Sequence, residues 1–441
     1  HFQSAVLGMY NNVNEFRFTG KNQEQFGQQI SGLNTTGAGG LNVSYNAEGN
    51  NRYFASYLVS STKTNLGQTK STENFISGGS FIQLENLIEN ERNTPHEVNL
   101  GVRHNFNRKH NLNINGNLDV TSNTLSSKLL TDTRQNGPLV NNLNNNTTSR
   151  SDMINGNFRA VHIAKLNGDK TQVKTELFGL YNRNDSGLDW SNTTTIFTPP
   201  NITVDDQYQD NANDRLTVSV FPTIVQKVRP FWYLSLGARI GSNDNSLNRR
   251  QGAFRNVGTV TDSLSADFDA NETFVKSSLS LRRSTAKSQV NFTLGASWSR
   301  FNKRLSNSSV GQPDYLYFTP GFSYNSNYRQ GRRIGLRYSS SVNMPGVNQL
   351  LPVTNTINQL LLYRGNVNLK PEYRHNLNLS WSLFDHFSFT SLFARLSGGY
   401  IKNKISMSRT INSDFTQVLT PVNIPANYSA STYVSFSTPV R

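Results

Sequence analysis

Apolar and polar side chains alternate with a period of two along much of this chain. The cleanest run is residues 112–120, where Leu112, Ile114, Leu118 and Val120 interleave with Asn113, Asn115, Asn117 and Asp119. Successive side chains of a β-strand point to opposite faces, so this run predicts a strand with one apolar and one polar side. Leu377, Leu379, Trp381 and Leu383 alternate in the same way with Asn376, Asn378, Ser380 and Ser382. A tight connection at Asp385-His386 then turns the chain back, and Phe387, Phe389 and Phe393 resume the alternation. A helical reading fails almost everywhere. Apolar residues do not recur at three and four, and Gly, Asn and Thr interrupt every window.

The hairpin repeats along the chain. Residues 2–10 read as a first strand. Leu41 to Asn46 and Tyr53 to Ser60 flank the turn sequence Glu48-Gly49-Asn50-Asn51. Val98, Leu100 and Val102 lead through Asn107-Arg108-Lys109-His110 into the 112–120 strand. Phe158 to Leu166 turns at Asn167-Gly168-Asp169 into Val173 to Tyr181, and Leu216 to Val225 turns near Lys227-Val228-Arg229-Pro230 into Trp232 to Ile240. Later hairpins turn at Ser284-Thr285-Ala286-Lys287 and near Arg329-Gln330-Gly331, and Thr432 to Ser437 reads as a last strand.

Short turns alternate with long segments rich in Asn, Ser and Thr, at 61–95, 121–150, 184–213, 243–272, 302–314, 343–373 and 401–430. One tight side and one long-looped side is the plan of outer-membrane barrels, whose short turns are periplasmic and long loops external. Phe75 to Leu84 has strand character, but as a membrane pass it would put long loops on both sides, so it is assigned to an external loop. The count is then about sixteen strands, many near the about 9–11 residues that cross hydrocarbon at a tilt. The predicted fold is an all-β, antiparallel, up-and-down transmembrane β-barrel. A soluble sandwich would show turn signals about every 8–12 residues. In lipid the backbone must be fully hydrogen-bonded, which forces closure.

Composition fits this picture better than its alternatives. Only 35% of residues are hydrophobic and mean hydropathy is −0.55, which alone suggests a polar, poorly packed chain. Yet 11% are aromatic, and these sit in the alternating runs. A polar lumen and long loops keep a barrel's mean hydropathy low. No apolar run approaches the roughly 20 residues of a spanning helix. Cysteine is absent, which removes disulfides and thiolate chemistry. The net charge of +15 comes from dispersed Lys and Arg without a basic helix or an aromatic RNA-binding motif, so no nucleic-acid partner is expected. Lumen-facing arginines and lipopolysaccharide phosphates account for it more simply. No signal sequence precedes His1 and no stop follows the last strand, so residues 1–441 are read as a barrel fragment.

Gly365-Asn366-Val367-Asn368-Leu369-Lys370-Pro371-Glu372 resembles the Gly-Asn-Pro-Asn-Leu-Lys-Pro-Glu motif of TonB-dependent outer-membrane receptors, departing from it at Val367. Met344-Pro345-Gly346-Val347-Asn348-Gln349-Leu350 looks like that family's upstream Arg-x-Pro segment, departing at Met344. The whole chain is similar to the barrel domain of these receptors, particularly the Bacteroidota-type outer membrane protein β-barrel family. The resemblance implies about 22 strands in a complete barrel, with signal peptide, plug domain, TonB box and last strands absent from this stretch. It also implies a Gram-negative cell outer-membrane location, contact with outer-membrane lipid and lipopolysaccharide, coupling to the TonB complex through the absent plug and box, and room for a surface lipoprotein partner. The family-motif residues Gly365, Asn366, Asn368, Leu369, Lys370, Pro371 and Glu372 carry over; ligand-binding residues are not identified.

Bond chemistry is sought and not found. The seven histidines are scattered without metal spacing. Ser306-Asn307-Ser308-Ser309 has no nucleophile elbow, and Gly78-Gly79 and Gly398-Gly399 read as turns or strand kinks. No catalytic residue, cofactor or metal site is therefore expected. Arg333 and Arg337, on a strand whose alternate residues are Ile334, Leu336 and Tyr338, are expected to face the lumen. There they would touch an anionic ligand or pair with acidic groups of a plug or neighbouring strands. Trp190, Tyr208 and Tyr328 are read as interface aromatics, and Trp232, Trp298 and Trp381 as outward-facing.

The expected function is TonB-dependent uptake of a bulky nutrient (siderophore, oligosaccharide, peptide or cobalamin-like), without enzymatic activity. A non-transporting barrel acting in adhesion or assembly is the alternative, and a plug and TonB box upstream would separate the two. A soluble secreted β-rich binding protein would lack heat-modifiable migration in gels. A barrel-embedded phospholipase-type enzyme lacks a nucleophile–base pair.

Overall fold

Strand after strand pairs with its sequence neighbour. The computed structural model describes residues 2–7, 32–76, 79–168, 170–253, 260–261, 264–306, 308–358, 360–412 and 415–439. The first strands are β1 (Phe2–Leu7), β2 (Leu33–Ala47), β3 (Asn51–Ile76), β4 (Gly79–Asn105), β5 (His110–Gln135), β6 (Leu139–Leu166) and β7 (Thr171–Phe197). They are followed by β8 (Pro200–Arg229), β9 (Trp232–Ala253), β10 (Ala266–Ser284), β11 (Ser288–Leu305), β12 (Ser308–Gly311), β13 (Asp314–Phe318), β14 (Gly321–Arg329) and β15 (Arg332–Asn343). A short helix α1 (Val347–Leu350) and strands β16 (Thr354–Asn355) and β17 (Leu361–Arg364) precede β18 (Glu372–Phe384), β19 (Ser391–Ile411) and β20 (Gln417–Ser437).

All twenty strands belong to one sheet. Sequence neighbours pair antiparallel, β15 pairs β18, and the one parallel pairing among the described residues is β17 with β20. β12–β14 share one place beside β11, and β16 and β17 lie off the main run, which leaves the sixteen ladder positions expected. Far ends of the sheet meet at its long-hairpin end. Arg409 Nη1 donates to Asn74 Oδ1 (3.2 Å), Gln417 Nε2 to Gln83 Oε1 (3.3 Å), and the Phe81 and Phe415 rings lie 5.2 Å apart. The sheet is thus curled into a cylinder, with no ladder joining β1 to β20 among the described residues.

The alternation sets which side faces out. Leu100, Leu118, Phe158, Leu177, Leu236 and Leu294 project from the outer surface and are exposed. Their strand neighbours Asn99, Asn117, Asn157, Ser235 and Thr293 line the interior. An apolar exterior round a polar interior is the reverse of a soluble core and matches a lipid solvent. Aromatics border the band. Trp381 Nε1 donates to the Tyr328 hydroxyl (3.0 Å) beside the short turns, and His375, Tyr400 and Tyr428 stand in one register row nearer the other edge. Tyr328, Trp232 and Trp381 lie as expected. Trp190 and Tyr208 do not, because both are buried in the β7–β8 hairpin beyond the band.

Two further expectations change. The long polar segments between β3 and β8 are not loops: β3–β9 run 22–30 residues, so the ladder continues well past the membrane. Neither face meets lipid there, so the apolar signal fades while the pairing persists. Cross-strand polar contacts such as Thr69 Oγ1 to Asn86 Oδ1 (2.8 Å) and Ser151 Oγ to Asn184 Oδ1 (2.6 Å) support it. Phe75 to Leu84 spans the tip of the β3–β4 hairpin, with residues 77–78 outside the described residues. At the other end Phe387 and Phe389 do not resume the strand. They sit in a wider turn between β18 and β19, Phe389 at φ 52°, and only Phe393 rejoins the ladder. Of the expected first strand, residues 8–10 lie outside the described residues.

Facing can be tested by charge. Leu236→Arg, at the middle of the outward band, is expected to cost about 2–4 kcal/mol of folding free energy in lipid vesicles, and Asn117→Lys, facing the lumen, under about 1 kcal/mol. Denaturant titration of the two variants checks this, and equal costs would contradict it.

Candidate functional site

The segment 344–371 leaves the wall after β15 and returns to it at β18. These two strands pair directly, so the segment has no place in the ladder between them and rejoins the sheet through β17, parallel to β20. It folds into the cylinder instead. The Gln349 side chain accepts the Gly346 amide (3.0 Å) and starts α1, which carries Leu350 and Leu351 inward. Both leucines, with Leu369, are buried against Leu247, Ala266, Phe268, Ala270 and Phe301 on β9–β11. This apolar patch inside an otherwise polar lumen seats the segment. Burial of each leucine contributes roughly 1.5–3 kcal/mol.

Polar contacts carry the segment across to the far wall. The Ile357 carbonyl accepts Asn145 Nδ2 (3.3 Å) from β6 and Asn192 Nδ2 (3.0 Å) from β7. Gln251 Nε2 on β9 donates to Thr356 Oγ1 (2.8 Å), and Lys303 Nζ on β11 to the Val367 carbonyl. All these wall residues lie fifteen or more positions from the short turns of their strands, beyond the lipid band. The segment therefore occupies the long-hairpin mouth of the cylinder.

The octapeptide Gly365–Glu372 is the hinge that returns the segment to the wall. A Cβ at Gly365 would lie 2.3 Å from the Leu351 carbonyl oxygen, so no side chain fits there. The Asn366 amide donates to the Gln349 carbonyl (2.7 Å), its Oδ1 accepts the Asn368 amide (3.0 Å), and its Nδ2 donates to the Pro421 carbonyl (3.1 Å). The Lys370 amide donates to Asn423 Oδ1 (2.7 Å), and Pro371 is fully buried. Glu372 accepts Arg374, Lys404 Nζ (3.1 Å) and the Ile405 amide (2.9 Å). Burial by itself would raise its carboxyl pKa. The bonds from Arg374, Ile405 and Lys404 outweigh burial and hold it below its ordinary 4.5.

Between the segment and β7–β9 lies a cavity of about 240 Å³, whose lining includes Asn184, Asn211, Asn213, Arg249, Asn348 and Tyr363. Arg249 is 8% exposed; its Nε donates to Asn211 Oδ1 (3.1 Å), and burial pushes its pKa down. The sequence reading missed this arginine. Its only signal is a cation among the inward positions Asn245, Leu247 and Gln251, and nothing in one strand shows what stands opposite. Arg333 and Arg337 face the lumen as expected, opposite Ser382 and opposite Ser323 and Asn378, with no carboxylate paired to either among the described residues. Deeper in the lumen Glu176 joins Arg159 (2.8 Å), Lys174 (3.3 Å) and Arg239 (2.9 Å). The described histidines lie against aromatic or histidine neighbours, as His375 with Tyr338 (2.8 Å) and His110 with His162 (3.4 Å). The arrangement holds amides, hydroxyls and one buried cation around a cavity, which suits recognition of a polar molecule.

Because the Glu372 carboxyl titrates low when folded, its anchorage is complete above about pH 4.5 and fades as pH falls toward the depressed value. Glu372→Gln is expected to cost roughly 2–4 kcal/mol at neutral pH, since it strands Arg374 and Lys404. Proteolysis of the 344–371 segment checks this: the variant should be cut faster at pH 7, and the difference should shrink in acid.

Solved structures similar in outline include three receptors. The alcaligin outer-membrane receptor FauA from Bordetella pertussis matches at 12% identity and TM-score 0.43, covering 92% of this chain and 60% of its own. The ferric enterobactin receptor PfeA matches at 12% and 0.49, covering 92% and 58%. The ferric yersiniabactin uptake receptor FyuA from Yersinia pestis matches at 9% and 0.32, covering 92% and 73%. The chain thus spans about 60% of the length of the first two. No curated protein sequence matches it. Residues 164–441, which include β7–β20, the infolded segment and its hinge, match the outer membrane protein beta-barrel family, and the chain belongs to that family.

Proposed function

We propose that this outer-membrane barrel is the receptor part of an importer that captures a bulky polar nutrient at its external mouth. The carrying observation is the infolded segment 344–371, which spans the mouth and leaves a polar cavity against β7–β9. A segment held by amide contacts and one apolar patch can both contact ligand and narrow the path behind it. The family-motif residues Gly365 to Glu372 would then serve as the fixed hinge of that segment, not as ligand contacts. Inward passage would draw energy from the TonB complex through a plug domain and TonB box. No bond is made or broken in this role.

Lipopolysaccharide is a second proposed partner. Lys63, Arg92 and Arg150 share one outward register row, Lys63 opposite Arg92, then Thr124, then Arg150. The row lies about four residues beyond the end of the apolar band at Val120 and Ile154, where lipid phosphates meet water.

Import is tested in cells carrying the full-length protein or its deletion, grown on a panel of labelled nutrients with and without an uncoupler. The deletion strain should lose accumulation of one bulky nutrient, and the uncoupler should abolish uptake while sparing surface binding. Unchanged uptake of every nutrient would favour the adhesive or assembly role, to which the tall hairpins also lend themselves. Replacing Lys63, Arg92 and Arg150 together by Gln should weaken binding of lipopolysaccharide to the detergent-solubilised barrel by about 3 kcal/mol and leave binding of neutral lipid unaffected.

A further inference from the structure

We propose that the cavity beside Arg249 seats one carboxylate group, carried on a hydroxyl- or amide-rich unit the size of a sugar acid or amino acid. This rests on the import reading and names the chemistry of its ligand. Elsewhere the lumen shares its cations with carboxylates: Arg159, Lys174 and Arg239 meet at Glu176, and Arg374 and Lys404 at Glu372. Arg249, unlike these, has no such partner among the described residues, and unlike Arg333 and Arg337 it is buried. It is more than nine-tenths buried, yet its one side-chain bond is from Nε to the neutral amide of Asn211, and no carboxylate pairs with it among the described residues. A guanidinium carries five N–H donors, so both terminal nitrogens remain for another acceptor. Leaving such a charge buried and unpaired is costly unless something arrives to meet it.

The surroundings define what arrives. No Asp or Glu among the described residues lines the cavity, and Asn184, Asn213, Asn348 and Asn355 supply neutral donors and acceptors. Leu351 and Val353 add a small apolar surface, suited to the C–H face of a sugar ring. The planar fork matches a carboxylate with two parallel bonds, and such charge-assisted pairs are the stronger class of hydrogen bond. At about 240 Å³ the space admits one such unit and not a whole bulky ligand, so the rest would extend into the mouth. Three of its polar walls, Asn348, Asn355 and Tyr363, belong to the infolded segment, so filling it would tie ligand to that segment.

Calorimetric titration of the full-length protein in detergent micelles with glucuronate, glucose and inorganic phosphate tests the seat. Glucuronate should bind at least about tenfold more tightly than glucose. Arg249→Gln should erase that preference. Asn211→Asp, which keeps the bond to Nε and supplies an internal carboxylate, should erase it too while heat-modifiable migration stays normal. Equal binding of glucuronate and glucose, no glucuronate binding up to about 10 mM, or phosphate binding more tightly than glucuronate would each overturn the assignment. So would a preference that survives in both variants. Binding without uptake by energised cells would leave the seat and remove import; uptake indifferent to both variants would do the reverse.

Discussion

Hydrocarbon offers no partner to a peptide N–H or C=O, and this constraint organises the molecule. Every strand that crosses the lipid must be bonded on both edges, so the sheet must curl. Curling fixes the facing of alternate side chains, because the outer surface meets acyl chains and the inner meets water. Leucine and aromatic residues then collect outside, and asparagine and serine inside. The same pairing carries β3–β9 far beyond the membrane, where polar cross-strand bonds replace lipid packing.

A polar interior makes an internal segment possible. Inward amides on β6, β7 and β9 can bond to any chain that enters: Asn145 and Asn192 donate to the Ile357 carbonyl, and Gln251 to the Thr356 hydroxyl. One apolar patch on β9–β11 gives that chain a defined seat. The Gly365–Glu372 hinge then decides where it leaves. Gly365 allows the backbone to pass Leu351 closely, and Glu372 locks the exit to β18 and β19. The mouth therefore holds a built surface with a cavity in it and not merely a ring of loops.

The lipid-crossing part was legible because its signal is local. Leu112 to Val120 needs no distant contact to declare its two faces, and the short turns mark themselves with Asn, Gly and Pro. The outer hairpins were hidden because neither face meets lipid and their inward side is filled by polar contacts, so Asn141 to Asn146 reads as a polar loop while pairing with β7 residue by residue. Phe387 and Phe389 misled in the other direction: aromatics beside a turn keep the spacing of a strand without its bonds. The octapeptide announced itself by resemblance, but the reason for Gly365 lies in a carbonyl fourteen residues upstream. Arg249 was invisible because its oddity is the absence of a partner from strands far away in sequence.

The facing of the ribbons can be measured directly, since the chain has no cysteine to remove. Single cysteines placed at each position from Leu112 to Val120, spin-labelled and read against oxygen and a water-soluble relaxant, report lipid or water residue by residue. The account predicts a strict two-residue period, with labels at 112, 114, 116, 118 and 120 in lipid and those between them in water. Uniform accessibility, or a period near 3.6, would contradict it.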